Sequence, residues 1–225
     1  MKQTNGTATV AHELYAAVRE RIVNGTYAPG MRLTEQHFAV EFNTSRTPVR
    51  EAMRQLTADG FLVFKPNSGT AVRAWTTAQI NELFDLRVLI ESEIAHHAAR
   101  HIDEQQLQAL TELQDEIERN GADTSDENTI RIGQLNRRFH SLVAQASRSE
   151  RLTSVLSNAI EQPIVQRTFR KYDARQLQRS FDQHRELIDA FRARNAEWAK
   201  SVMSCHIYAA KYALLQGEPE EESDD

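Results

Sequence analysis

Three histidines sit where a helix would turn its apolar face. His140 lines up with Ile132, Asn136 and Val143, His184 with Leu187, Ile188 and Phe191, and His206 with Val202, Met203 and Ala210. Asn136 lies one turn before His140 and offers an oxygen on the same side. Three helices aiming imidazoles inward beside one amide could build an N₃O site for a divalent metal in a bundle core. Taken singly, each histidine reads as a hydrogen-bonded core residue. His96, His97 and His101 form a competing cluster, with His97 and His101 one turn apart near a helix end, where a protonated imidazole suits the dipole. Cys205, next to His206, reads as a small buried filler. Arg87 shares a stripe with Leu83, Ile90 and Ile94, which leaves two uses for it. It can pair with Glu91 one turn on, or clamp a carboxylate with two hydrogen bonds. Nothing separates Arg167 and Arg170 from a solvated face.

A second group with chemistry is "NTSRTPVREAMRQLTADG", residues 43–60. Ser45, Arg46, Thr47 and Pro48 crowd a helix start, and Arg50 and Arg54 follow one turn apart. The bland reading is a capped surface helix, with Ser45 or Thr47 as N-cap and Pro48 at the first helical position. The alternative is that DNA lies in front of it. A helix N-terminus offers unpaired N–H groups to a phosphate, hydroxyls bond phosphate oxygens, and arginine forks read guanine. On a helical wheel Thr47 and Arg54 fall nearly opposite the stripe Val49, Ala52, Met53, Leu56, and Arg50 lies on its flank.

The elements around these groups differ between the two parts of the chain. Leu14, Val18 and Ile22 predict a helix over residues 9–24, broken by Gly25, Pro29 and Gly30. Thr34 caps a short helix bearing Phe38 and Phe42, closed by Asn43. Gly60 ends the next helix, and "FLVFKPNSGTAVRA" predicts a β-hairpin turning at Pro66, Asn67, Ser68 and Gly69. Three helices and a two-stranded wing make a winged helix-turn-helix over 9–75. "RAWTTAQ" reads as a linker. From 76 to 216 the spacing is helical in segments near 77–100, 103–119, 126–147, 150–171, 174–194 and 196–216, with Pro163 kinking the fourth. The expected fold is therefore mainly α, a winged helix-turn-helix followed by an all-α bundle.

Charge follows the same division. The chain of 225 residues has a net charge of −5, yet residues 1–75 carry nine Lys/Arg against six Asp/Glu. Six acids fall in the last eight residues, "EPEEESDD", so 217–225 reads as a disordered acidic tail. A basic front on an acidic body suits a protein that meets phosphate at one end. No apolar run is long enough for a membrane span, the start has no signal-peptide character, and one cysteine suits a reducing compartment, so a cytoplasmic protein is expected.

Residues 11–73 resemble the DNA-binding domain of the GntR family of bacterial transcription regulators, through "IVNGTYAPGMRLTE", "SRTPVREAMRQLTADGFL" and "PNSGTAV". The remainder is similar to the FCD effector domain of the FadR subfamily. The resemblance implies a homodimer docking two recognition helices on a pseudo-palindromic operator. It implies DNA contacts by Ser45, Arg46, Thr47 and Arg50, a wing-tip approach by Gly69, and phosphate contacts by Arg32 and Lys65. Gln36 stands where a relative has arginine. It further implies a metal held by Asn136, His140, His184 and His206, in an order and spacing that match metal-binding FCD domains. Many members have aspartate at position 136, so one negative charge is missing from this shell. Zinc is the first expectation for the ion, with nickel and manganese as alternatives. A small carboxylate metabolite would bind there with Arg87 near it and modulate DNA affinity. Three rivals remain at this point, a sensor for which the metal itself is the signal, a metal-dependent hydrolase, and a structural adaptor with a vestigial winged helix, which leaves the intact "SRTPVRE" unexplained. The second lacks HExxH, paired cysteines, a Gly-rich phosphate loop and an evident general base, so an enzyme is not expected.

Overall fold

The computed structural model describes residues 4–66, 69–121, 125–159 and 162–216. The chain forms two compact units, one reaching to Trp75 and one starting at Thr76. The acidic tail, 217–225, lies outside the described residues.

In the first unit, α1 (Thr4–Val23), α2 (Glu35–Glu41) and α3 (Arg46–Ala58) accompany strands β1 (Arg32–Leu33), β2 (Leu62–Lys65) and β3 (Gly69–Val72). Helix α1 starts five residues before the expected boundary at 9. Leu14 and Val18 are buried as expected, Val23 at the end of the helix is buried too, and Ile22 is half-buried. Thr34 caps α2 by accepting from the His37 N–H at 3.1 Å, and Asn43 leaves the helix at a φ of 46°. In α3 the stripe Val49, Ala52, Met53, Leu56 is buried together with Phe38 and Phe61. The sheet has three strands in the order β1-β3-β2, all antiparallel. The expected hairpin is present, but a third strand completes it: Arg32 and Leu33 pair with Ala71 and Thr70. Two residues carry too little alternation to announce a strand.

The second unit contains α4 (Thr77–His101), α5 (Glu104–Asn120), α6 (Asp126–Ala146), α7 (Glu150–Ala159), α8 (Gln162–Lys171), α9 (Ala174–Arg192) and α10 (Ala196–Leu215). One correction concerns a boundary. "RAWTTAQ" is not wholly a linker, because Thr76 and Gln79 form a capping box that starts α4 inside it. Over the segment 150–171 the structure describes helix on both sides of residues 160–161, which lie outside the described residues, and Pro163 falls within α8.

Helix α10 lies along α4 and against α9. Ion pairs of Lys200 with Glu93 and Lys211 with Asp85 set α10 antiparallel to α4. Asp115 and Glu118 of α5 hold Arg185 of α9 at 2.7 Å. A side chain at Gly121 would collide with the Phe181 ring, so the end of α5 needs glycine for α9 to pack there. Phe84, Phe139 and Phe191 are fully buried, each worth roughly 1.5–3 kcal/mol of apolar burial. The core formed around them fixes α4, α6, α9 and α10, which carry Arg87 and the three histidines.

Candidate functional site

Within the first unit, Ser45 is the N-cap of α3, with extended backbone, yet its hydroxyl makes no capping hydrogen bond. Pro48 stands third in the helix rather than first. It is buried with Val49, which anchors the helix start while Ser45, Arg46, Thr47 and Arg50 stay exposed. Arg50 directs its Nε to both carboxylate oxygens of Glu35, at 2.9 and 2.8 Å. Arg54 pairs with Glu51 at 2.8 Å. Glu35 was not singled out by sequence. Its only signal is a place in the first turn of α2, next to the cap.

The wing brings other expected residues together. Gly69 has a φ of 80°, a conformation that glycine tolerates best, and the Arg32 guanidinium lies 3.6 Å from where its Cβ would be. Lys65 pairs with Gly69 across the hairpin and is exposed. Asn67 and Ser68 of the turn fall outside the described residues. A cleft of about 640 Å³ runs between wing and helices, lined by Arg32, Thr34, Arg50, Arg54, Gly69 and Thr70 among others. Gln36 is exposed on α2.

Within the second unit, His140, His184 and His206 bring their ligand atoms within 4.8 Å of one another. Among the described residues no other such cluster forms. His96, His97 and His101 do not converge. His97 and His101 stack at 6.3 Å with His101 exposed. Cys205 is exposed, not a buried filler, because one step along α10 from the inward-facing His206 turns it outward.

Each imidazole of the cluster has an oxygen at Nδ1. His140 meets Glu91 Oε2 at 2.8 Å, His184 meets Gln114 Oε1 at 2.8 Å, and His206 meets Gln183 Oε1 at 3.2 Å. A partner that accepts from Nδ1–H leaves the lone pair on Nε2, the state a metal ligand needs. Nε2 of His140, Nε2 of His184 and Oδ1 of Asn136 are buried without a hydrogen-bond partner. Three orphaned polar atoms in one core are costly, at roughly 1–3 kcal/mol each. A divalent cation between the imidazoles would satisfy both Nε2 atoms. The 4.8 Å spread exceeds the roughly 3.4 Å edge of a tetrahedral zinc shell, so the side chains would close in on an ion.

Burial pushes His184 well below the ordinary histidine value, helped by the nearby His206 and His140. It takes His206 down to about 3, with His140 and Arg87 adding and Glu91 opposing. Both rings are therefore neutral at pH 7. Burial alone would raise Glu91, but Arg87 and the His140 hydrogen bond hold it at about 2. Arg87 donates from Nε to Glu91 Oε1 at 2.7 Å and lies 4.9 Å from the Phe84 ring centre. Arg87 is 5% exposed and Glu91 2%, so the helix-internal pair is realised, deep in the core.

Gln114 and Gln183, and the contact of Glu91 with His140, were not foreseen. Gln114 falls on the buried stripe of Leu107, Leu110 and Ile117, and a glutamine on such a stripe is the kind of signal that marks a polar network. Gln183, beside His184, gave none. Of the two remaining arginines, Arg170 is half-buried and the Arg167 side chain lies outside the described residues.

An exposed basic helix start beside a wing, joined to a helical bundle with a histidine core, is the arrangement of a winged-helix transcription regulator with a C-terminal helical domain. The model for "Bacterial regulatory proteins, gntR family" matches residues 10–72, and that for the FCD domain matches residues 82–209. The chain belongs to the GntR family and carries an FCD domain, the arrangement of the FadR subfamily. It is 28% identical over 219 residues to the HTH-type transcriptional repressor RspR of Escherichia coli, covering 95% of this chain and 92% of that one. The Exu regulon transcriptional regulator of the same species is 29% identical, covering 95% of this chain and 86% of its own length. The HTH-type transcriptional regulator YdhC of Bacillus subtilis is 28% identical, covering 86% of each chain. Among solved structures, E. coli McbR/YncC superposes with a TM-score of 0.71 at 20% identity, covering 92% of this chain and 97% of that one, a likeness of fold. No helix among the described residues is long and apolar enough to cross a membrane.

Proposed function

We propose that this regulator binds a pseudo-palindromic operator as a homodimer, and that a small carboxylate metabolite modulates the affinity through a divalent metal in the FCD domain. The observation that carries the reading is the convergence of His140, His184 and His206, with Nε2 of His140 and His184 buried and unpartnered and the Asn136 Oδ1, one turn before His140, equally orphaned. In this reading the first 75 residues hold DNA, and residues 76–216 bind effector and form the dimer. Zinc is the preferred ion, since an imidazole-rich shell with one oxygen suits it. A bound ion supplies a Lewis-acid anchor for a carboxylate.

This chain's own residues do the rest. Gln114, Gln183 and Glu91 fix the three tautomers. Arg87 has spent its Nε on Glu91 and keeps the remaining guanidinium donors for an acid group. At the DNA end, the unspent hydroxyl of Ser45 supports a phosphate contact, since a cap that only started a helix would bond its own backbone. Glu35 braces Arg50 so that its fork meets a base edge with less ordering cost. Arg32, Lys65 and Gly69 form the wing's contact, with Arg46, Thr47 and Gln36 beside it. Effector binding that favours one dimer arrangement over another would change the spacing of the two α3 helices.

The test is the metal content of protein purified without chelator, beside a His140→Ala variant. One zinc, nickel or manganese per chain in the parent and none in the variant is expected. Operator affinity, on a duplex selected from a random pool, is then measured with and without carboxylic acids. Metal-free parent protein with unchanged DNA binding would remove the metal from the reading and leave the DNA assignment in place.

A further inference from the structure

A second opening in the FCD domain has no role yet. It is a cleft of about 290 Å³ between the start of α9 and the last turns of α10. That is slightly below the roughly 300–1,000 Å³ of drug-sized pockets and is the scale of a small metabolite. Its lining is polar and carries two cations, Arg175 and Arg179, one turn apart on α9. Both are exposed, and neither has an ion-pair partner among the described residues. The one acid in the lining, Asp173, already serves as the N-cap of α9, accepting from the Gln176 N–H at 2.7 Å. The cleft is therefore short of negative charge.

Its inner wall reaches the histidine centre. Gln183 lines the cleft, and its Oε1 meets His206 Nδ1 at 3.2 Å. Ser180 also lines it. This residue is 3% exposed, lies one turn before His184, and its Oγ is not satisfied by any well-formed hydrogen bond. Tyr172, a third lining residue, is pushed up to about 12 by burial, with the Arg87 charge and the neighbouring Ser180 hydroxyl opposing. The wall thus touches the layer that holds His206. Charge in that layer points the same way. Asn136 carries no charge, burial keeps His184 and His206 neutral, and Arg87 offsets the Glu91 charge, so a divalent ion would keep most of its double charge.

We propose that this cleft is the outer half of the effector site, and that the effector is a small acid with two anionic groups. One carboxylate takes the histidine centre, and the second reaches past Ser180 and Gln183 to Arg175 and Arg179. The proposal rests on the reading of the histidine centre as the effector site.

The experiment uses the full chain saturated with zinc, titrated calorimetrically with butyrate, succinate, glutarate and adipate. At least one dicarboxylate is expected to bind about 10-fold more tightly than butyrate, the scale of one added charge-assisted contact. In an Arg175→Gln, Arg179→Gln double variant that preference should shrink to within about two-fold, because the charge-assisted contact is gone. Butyrate affinity and zinc stoichiometry should be unchanged, since both arginines are on the surface. Dicarboxylates that bind no better than butyrate, or a preference that survives the double substitution, overturns the outer subsite. Zinc uptake and butyrate binding judge the centre separately. If zinc is taken up and butyrate binds, only the subsite falls. If the parent takes up no zinc and binds none of the acids, both readings fall.

Discussion

At the start of α3, Ser45, Arg46, Thr47 and Arg50 stand in solvent, whereas Asn136, His184 and His206 are each at most 5% exposed. The first group is polar or cationic and solvated by water, with only a surface ion pair from Arg50 to Glu35. The second is uncharged, because a bare charge there would be too costly, and its two imidazoles are partnered at Nδ1. Arginine shows the contrast within one residue type. Arg50 leans on Glu35 at the surface and Arg87 is locked to Glu91 inside. A surface site can be built from one short run of sequence. A buried site needs four helices to agree, and it stores its specificity in the orphaned atoms left at the centre.

The largest separation of the two regions should come from salt. In the proposed dimer Arg32, Arg46 and Lys65 would supply six phosphate-directed cations. Raising salt from 50 to 200 mM should then lower operator affinity roughly 10³-fold. Zinc affinity, measured against a chelator over the same range, should change by less than about two-fold, since buried sites are little screened. Fluorescence anisotropy gives the first slope. A flat operator curve would remove the phosphate assignment of the wing and the α3 start.

The next effect comes from inside. Glu91→Ala strands the Arg87 charge in the core and should cost about 3–5 kcal/mol in urea unfolding, while replacing both residues by methionine should cost much less. The same Glu91→Ala change should weaken zinc binding about 10- to 100-fold by freeing the His140 ring. A cost below about 1 kcal/mol would mean that water reaches the pair, contrary to its burial.

The difference between the regions also explains what the sequence could reveal. The α3 run and the hairpin were legible because their residues are contiguous and their periods clear. The inward set of His140, His184 and His206 was legible because each lies on its own helix's apolar stripe, and the structure brings the three together. Strand β1 was missed because two residues have no period. Cys205 was misplaced since its exposure depends on which way α10 is rotated, which one sequence step decides. Glu91, Gln114 and Gln183 depend on contacts up to 70 residues apart, and no local pattern encodes those.

Arg50→Ala should lower operator affinity about 10- to 100-fold and relax preference at the base pair it faces, as loss of a bidentate base contact does. Glu35→Gln should have a smaller effect in the same direction, because it loosens Arg50 without removing it. The comparison is a selected operator against a single-base-substituted duplex. Unchanged affinity and specificity in Arg50→Ala would place the reading of bases elsewhere on the unit.

The smallest effect should come from the surface pairs of Arg185 with Glu118 and Asp115, which test whether burial, rather than charge pairing itself, separates the two regions. The side chains of Arg185 and Glu118 are 37% and 35% exposed, so screening leaves the pair worth less than about 1 kcal/mol. The Arg185 hydrogen bond, with help from Gln114, lowers the Glu118 carboxyl below its ordinary 4.5 against a small opposing effect of burial. A depressed carboxylate contributes stability that is present above 4.5 and lost as pH falls below it. Glu118→Gln should therefore differ from the parent most at pH 7, converge with it in acid, and lose most of its difference in 1 M salt. The Glu91→Ala deficit should persist in that salt. If the two variants respond to salt alike, the distinction between the solvated and the buried pair is wrong.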